Sequence, residues 1–328
     1  MKRMLLIAQN HLQNKNCRDL RKLFLLLWHT ALDLQIIYRL QNRQKESSHT
    51  NVMSNRIILA DEQLKKVQSV LLELLCEVRR ICELEGIHYT IIAGTMLGAV
   101  RHGGFIPWDD DADIGMLRED YIAFQKACEK HLNRDKFYFQ DTEYTEGYRW
   151  GYGKLRRKNS SYIVCGTEKL PYEQGIWIDI FPLDYVPESR FGRMLTNFHC
   201  FLIRKFLFSE AGKTREKNSL KRAVYHIISK VPLKRILKHY YSYIKYRNRI
   251  PTQWVRILMF PTPNREYGYL YRWYKETVPI SFEGEIFAGI REYDEYLTFK
   301  FKNYHELPPA EFRKQHHVST LKFPNDMQ

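Results

Sequence analysis

Helices packed on a mixed β-sheet, the α+β class, interrupted by a basic helical insertion, are the fold this sequence predicts. Three observations carry that expectation. Apolar residues recur at helical spacing from Leu64 to Cys82 and again between Arg118 and His131. Short β-branched and aromatic runs such as "HYTIIA", "FYFQ", "SYIV" and "GIWIDIFPLD" alternate with the helices. Residues 190 to 275 hold 20 Lys and Arg against 3 acidic residues, a surplus that exceeds the +15 of the whole 328-residue chain and leaves the remainder close to neutral.

In chain order, residues 1–55 read as a basic extension ending in the polar "NRQKESSHTNVMSN", with Met53 as an alternative translation start. A core domain is expected over 56–190. It opens on a long amphipathic helix capped by Asp61 and stopped at Gly86, where a left-handed residue suits glycine. "HYTIIA" (88–93) reads as a buried strand that breaks at Gly94 and Thr95, followed by a short helix over 96–101. Gly103, Gly104 and Pro107 force a loop, after which "DADIGM" reads as a second strand and Arg118–His131 as a helix. "FYFQ", "GYGKLRR", "SYIV" and "GIWIDIFPLD" are further strands. Residues 191–275 read as basic amphipathic helices, and 276–328 as a segment packing back on the core. Within the helices, "FHCFLIRKFLF" suggests an interfacial face in which Phe201, Leu202, Phe206, Leu207 and Phe208 enter an anionic membrane surface.

A chain with 44% hydrophobic and 14% aromatic residues can bury a sizeable core. No window reaches the roughly 18 uninterrupted apolar residues of a membrane span, and the apolar run near the N-terminus is too short for a signal peptide. The expectation is a cytoplasmic protein, peripheral at the inner face of the membrane. Six cysteines without a CxxC pair read as reduced thiols, and the adjacent His316 and His317 have no neighbouring cysteine to complete a zinc site. No nucleic-acid fold signature accompanies the basic segment, so no nucleic acid is expected as a partner.

The most informative stretch is "GTMLGAVRHGGFIPWDDDADIGM" (94–116). Four aspartates this close repel one another unless something positive sits among them. In a strand, Asp111 and Asp113 point to one face about 7 Å apart while Ala112 and Ile114 point into the core, a spacing that suits a divalent cation. Asp179, between Ile178 and Ile180, supplies a third carboxylate. A calcium loop of the EF-hand type fails because its sixth position is Ile114 and its twelfth Asp120. Upstream, Gly94 and Thr95 open a helix whose free N–H groups suit a phosphate, with Arg101 and His102 close behind. Lys154 and Arg156 are further anion candidates, and Trp108, Trp150, Tyr152 and Trp177 are the aromatics nearest the motif.

These residues resemble LicD-type transferases, a family that includes bacterial phosphocholine transferases and the catalytic domains of fukutin-related proteins. The similarity runs through the 94–116 stretch, "GIWIDIFPLD", "FEG" and the preceding helix, covering about residues 61–189 and 276–317. It implies a nucleotidyltransferase-like fold in which Gly94 and Thr95 hold phosphate, Asp111 and Asp113 bind Mg2+ (or Mn2+), and Asp179 acts as third ligand or base. It also implies a nucleotide-diphosphate donor such as CDP-choline and a glycan or lipid-linked glycan acceptor. The chain departs from the family pattern at Phe301-Lys302-Asn303-Tyr304, where Tyr-Gly-Asp-Tyr is usual, and at Gly289, where a proline is usual. Transfer of a polyol phosphate or sugar phosphate, and a non-catalytic module binding anionic surfaces, are the alternatives.

Overall fold

The computed structural model describes residues 57–216, 218–262 and 264–327; the basic extension and Met53 lie outside them. Helix α1 (Asp61–Glu85) buries Leu64, Val67, Leu71, Leu74, Val78 and Ile81, and stops at Gly86 with φ 63°. Asp61 is not its cap. Ala60 stands at that position, its N–H met by Gln63 Oε1 at 3.1 Å, and Asp61 instead places charge in the first turn. The strand expected over 88–93 contracts to β1 (Thr90–Ile91). The chain leaves it because Ala93 turns to φ 51° and opens α2 (Ala93–His102) sooner than the sequence suggests.

Strand β2 (Asp113–Leu117), α3 (Arg118–His131), β3 (Phe137–Gln140), β4 (Gly153–Arg157), β5 (Ser161–Val164) and β6 (Trp177–Val186) follow. The central sheet runs β1-β2-β6-β4-β3, with β2 and β6 parallel and the other neighbours antiparallel. Helices on a mixed sheet make the fold α+β. One face of the sheet is covered so closely that a Cβ on Gly153 would meet Tyr121 Oη at 2.8 Å and the Phe139 ring at 2.9 Å.

The basic segment forms α4 (Arg190–Leu207), α5 (Ser209–Arg215), α6 (Ser219–Ile228) and α7 (Leu233–Arg247). Here the structure corrects the interfacial reading of "FHCFLIRKFLF". Leu202, Phe206 and Leu207 are buried. Phe206 and Leu207 join Cys200 and Ile203 in packing against Tyr225 and Ile228 of α6 and Ile236, Tyr240 and Ile244 of α7, and Phe208 packs on the same cluster. Phe201 is half-buried, stacked on Phe198 with Lys205 over its ring. The apolar stripe therefore builds a second core.

Strands β7 (Trp254–Arg256) and β8 (Tyr269–Leu270) extend the sheet from the C-terminal half of β6, and α8 (Arg272–Lys275) leads to the hairpin of β9 (Thr277–Phe282) and β10 (Glu285–Ile290). Its "FEG" corner has φ 52° at Glu283 and 79° at Gly284, the pair of positive angles a tight two-residue hairpin turn requires. Glu283 clamps the glycine loop: its N–H donates to the Gly103 carbonyl at 2.9 Å and its Oε1 accepts from Phe105 N at 2.8 Å. Helix α9 (Tyr293–Phe301) lies against α2, and β11 (Val318–Lys322) pairs with β5. Lys302, at one departure from the family pattern, holds φ 63°, a conformation that glycine adopts without strain.

Candidate functional site

Asp113 of β2 and Asp179 of β6 are direct partners across the parallel ladder, and Lys154 of β4 is the partner of Asp179 on its other side. Partners in a ladder project to the same face, and neighbouring strands lie about 4.8 Å apart. The three side chains thus form one row across three strands. Asp111 stands two residues ahead of Asp113 on the same face, just before the strand, while Ala112 and Ile114 are fully buried on the other.

The row is strained electrostatically. Burial, followed by the charges of Asp111 and Asp179, pushes the Asp113 carboxyl well above the usual range. Burial and Asp111 take Asp109 up to about 8, and burial raises Asp111 too. Lys154 pairs with Asp179, lies 4.4 Å above the Trp177 ring, and is brought down to about 8 by burial, with Arg156 adding to the effect. Among the described residues, no three His, Cys, Asp or Glu side chains are already drawn around one metal position. Asp179 is held instead by Lys154.

The first turn of α2 adjoins the aspartates. A Cβ on Gly94 would lie 2.9 Å from Asp109 Oδ2, and Thr95 Oγ1 accepts a hydrogen bond from Asp113 N at 2.8 Å. Thr95 thus fixes the start of β2. Thr95→Val should cost about 1–3 kcal/mol by orphaning that N–H, while Thr95→Ser restores it. Denaturant midpoints of the two variants check this.

Arg101 and His102 are placed differently from the sequence reading. Arg101 Nη1 donates to the carbonyls of Tyr304 (2.8 Å) and Glu306 (3.3 Å), and its Nε donates to His102 Nε2 (3.0 Å). Its guanidinium anchors the C-terminal segment. Trp108 carries Arg313 over one ring face at 4.7 Å and meets His102 edge-on. Lys154 and Arg156, the further anion candidates, are buried. Arg156 donates to Gln140 Oε1 (2.8 Å) and the Gly175 carbonyl (2.7 Å), and sits 5.2 Å over Trp177.

Several side chains at this face escape sequence reasoning. His316 joins Asp110 through Nδ1 to Oδ1 (3.1 Å) and through its backbone N–H to Oδ2 (2.9 Å), while Tyr162 Oη donates to Oδ2. Burial alone would raise Asp110, but His316 and Tyr162 bring it down. Burial alone would lower His316, but Asp110 carries it up to about 9. A raised histidine contributes stability that is complete below its ordinary 6.5 and vanishes as pH rises through about 9. The loss of melting temperature in His316→Gln should therefore be largest at about pH 6, decline through neutrality and be small by pH 10, which a melting series across pH checks. Lys300 of α9 lends positive charge to Asp113, and its ammonium donates to Tyr269 Oη at 3.4 Å. Tyr148 Oη and Trp177 Nε1 are buried and have no hydrogen-bond partner among the described residues. The adjacency "HH" and a helical lysine gave no signal of these roles, because each rests on contacts more than a hundred residues away in sequence. Two cavities of about 280 and 220 Å3 lie elsewhere, lined among others by Phe139 and Tyr144 and by Arg118 and Tyr240; the carboxylate row lines neither.

Residues 86–209 match the family described as LicD/FKTN/FKRP, nucleotidyltransferase domain. The chain is 28% identical over 264 residues to the lipopolysaccharide cholinephosphotransferase LicD of Haemophilus influenzae, an alignment covering 78% of this chain and 96% of that protein. It is 33% identical over 141 residues to an uncharacterized protein, RP689, of Rickettsia prowazekii, covering 41% of this chain and 49% of that one. A 40-residue stretch is 48% identical to the human ribitol 5-phosphate transferase FKRP, covering 12% of this chain and 8% of that protein. The signature stretch from Gly94 to Met116 and the row Asp113–Asp179–Lys154 both fall inside the matched residues 86–209, so the part of the chain that carries the carboxylates is the part that is similar to the LicD/FKTN/FKRP nucleotidyltransferase domain.

Proposed function

We propose that this protein is a transferase that moves a phosphate-linked group from a nucleotide-diphosphate donor to a hydroxyl of a glycan, and that the group is phosphocholine carried by CDP-choline. The observation that carries the reading is the row Asp113–Asp179–Lys154 with Asp111 beside it: carboxylates and a cation converging where a helix N-terminus also opens. Phosphocholine is favoured because the LicD relative, named for cholinephosphate transfer, aligns over 96% of its own length.

The donor set fits Mg2+ or Mn2+. It is made of carboxylate oxygens only, which suit hard cations, and the burial and mutual repulsion that raise Asp109, Asp111 and Asp113 are the conditions a dication relieves. Asp111 and Asp113 would hold it, with Asp179 as further ligand or as base. Bound there, the metal supplies charge neutralisation on the diphosphate oxygens. The chain's own groups do the rest. Lys154 and Lys300 place positive charge around the row for the donor phosphates. The first turn of α2 offers N–H groups to the same anion. The acceptor oxygen bonds to phosphorus as the bond to the CMP oxygen breaks, and the hydroxyl proton passes to a carboxylate, a role we give to Asp179 where it is not a metal ligand. The unpartnered Tyr148 Oη and Trp177 Nε1 can donate to donor or acceptor oxygens.

A second reading, transfer of a polyol phosphate, draws on the cations stacked on Trp108 and Trp177, which occupy ring faces a quaternary ammonium would use. Incubating the protein and magnesium with CDP-choline, CDP-ribitol and CDP-glycerol, and measuring CMP release, separates the two. Release from none, with or without a glycan acceptor, would leave a non-catalytic module binding anionic surfaces and overturn the proposal.

A further inference from the structure

Strand β6 ends at Val186, and both ends of the helical segment gather around that point. Helix α4 begins at Arg190. Helix α7 and the turn after it return to the same place. Arg247 Nε donates to the Tyr185 carbonyl (3.3 Å), Thr252 Oγ1 to the Val186 carbonyl (2.7 Å) and Gln253 N to Glu188 Oε1 (2.6 Å). Tyr243 Oη reaches Thr196 Oγ1 (3.2 Å), which ties α7 to α4.

The side chains fringing this end are apolar and uncovered. Ile250 is 73% exposed, Phe191 66% and Tyr246 59%. Single exposed apolar residues are ordinary on a protein surface, but three large ones around one strand end make a patch. Arg190, Lys245, Arg249 and Arg265 are exposed among them, against Glu188 and Glu266. Apolar side chains set in a basic rim match a surface that is oily inside and negatively charged outside. The same basic charge disfavours a second copy of this chain, because residues 190–275 carry 20 Lys and Arg against 3 acidic residues and would face their like.

We propose that this end of the molecule docks on an anionic lipid leaflet. Phe191, Tyr246 and Ile250 enter the headgroup boundary, and Arg190, Lys245, Arg249 and Arg265 meet lipid phosphates. These residues are different from the buried 202–207 face, and the surface does not depend on which group the protein transfers.

The test is co-sedimentation of the full chain with vesicles of phosphatidylcholine alone and of phosphatidylcholine mixed with phosphatidylglycerol, across a salt series. Parent protein is compared with Phe191→Ser/Ile250→Ser and with a control, Ile286→Ser/Phe312→Ser, whose residues are also exposed, at 52% and 65%, but lie outside the helical segment. Melting temperatures confirm that both variants fold. Parent and control should bind the phosphatidylglycerol vesicles and retain part of that binding at high salt. The Phe191/Ile250 variant should lose roughly tenfold in partitioning, most visibly at high salt where charge is screened. Three outcomes would overturn the proposal: no binding by the parent, equal loss in the control, or undiminished binding by the Phe191/Ile250 variant. So would self-association of the parent without vesicles that the variant abolishes, since a second copy would then own the patch.

Discussion

Asp113→Asn is expected to reduce transfer by about 10³-fold or more, the equivalent of several kcal/mol of transition-state stabilisation, without lowering thermal stability. Asp111→Asn should behave alike. The reason lies in the cost of the charge itself. The Asp113 carboxyl is buried beside Asp111 and Asp179, which disfavour its ionised form. An amide of the same shape removes the repulsion while Ala112 and Ile114 keep the strand packed. The melting temperature without metal should hold or rise. Magnesium should raise it in the parent and not in the variants, because a ligand stabilises only a fold that binds it. Retained turnover in both variants, or an equal magnesium effect in all three proteins, would remove the carboxylates from the metal and the chemistry together.

The largest stability effect is expected away from the row, at Asp184→Ala. Asp184 is fully buried and accepts two hydrogen bonds from Arg118, from Nε and Nη2 at 2.7 Å each, and a third from Asn248 Nδ2 at 2.6 Å. It therefore joins β6 to the start of α3 and the end of α7. Removing it leaves a nearly buried guanidinium without its counter-charge, which costs about 3–5 kcal/mol. Arg118→Met combined with Asp184→Leu should be milder than Asp184→Ala alone, since an apolar pair strands no charge. Urea midpoints for the single and double variants measure this, and additive losses would show that the two side chains do not act as a pair.

Much of the local structure is legible from the sequence because it rests on local periodicity. The span of α3, the run of α1 to Gly86 and the strands at 137–140 and 161–164 follow from alternation, turn residues and glycine. The shortness of β1 is not legible, because it depends on the left-handed turn at Ala93, whose N–H is met by Tyr296 Oη from the far end of the chain. The stripe "FHCFLIRKFLF" shows the deeper limit. An apolar helical face states that something covers it, not what, and here the cover is α6 and α7. The same holds at the site. Asp111, Asp113 and Asp179 stand out by their apolar neighbours, whereas the Asp110–His316 pair spans 206 positions and is fixed only by folding. Arg101 carries the charge an anion site needs, yet its position beside a folded-back segment gives that charge to backbone carbonyls.

Strand β6 has a kinetic consequence. It is paired along its whole length, by β4 over 177–180, by β2 over 179–183 and by β7 over 184–186, and at Asp179 and Ile180 it has a neighbour on both sides. Amides so enclosed exchange with solvent only through the largest openings of a fold, whereas a two-residue edge strand such as β1 frays easily. Asp179 thus rides on a segment that opens late. When local fluctuations part the helical segment from the sheet, the aspartate and its neighbours across the ladder stay in register, and the carboxylate row outlasts the surface that surrounds it.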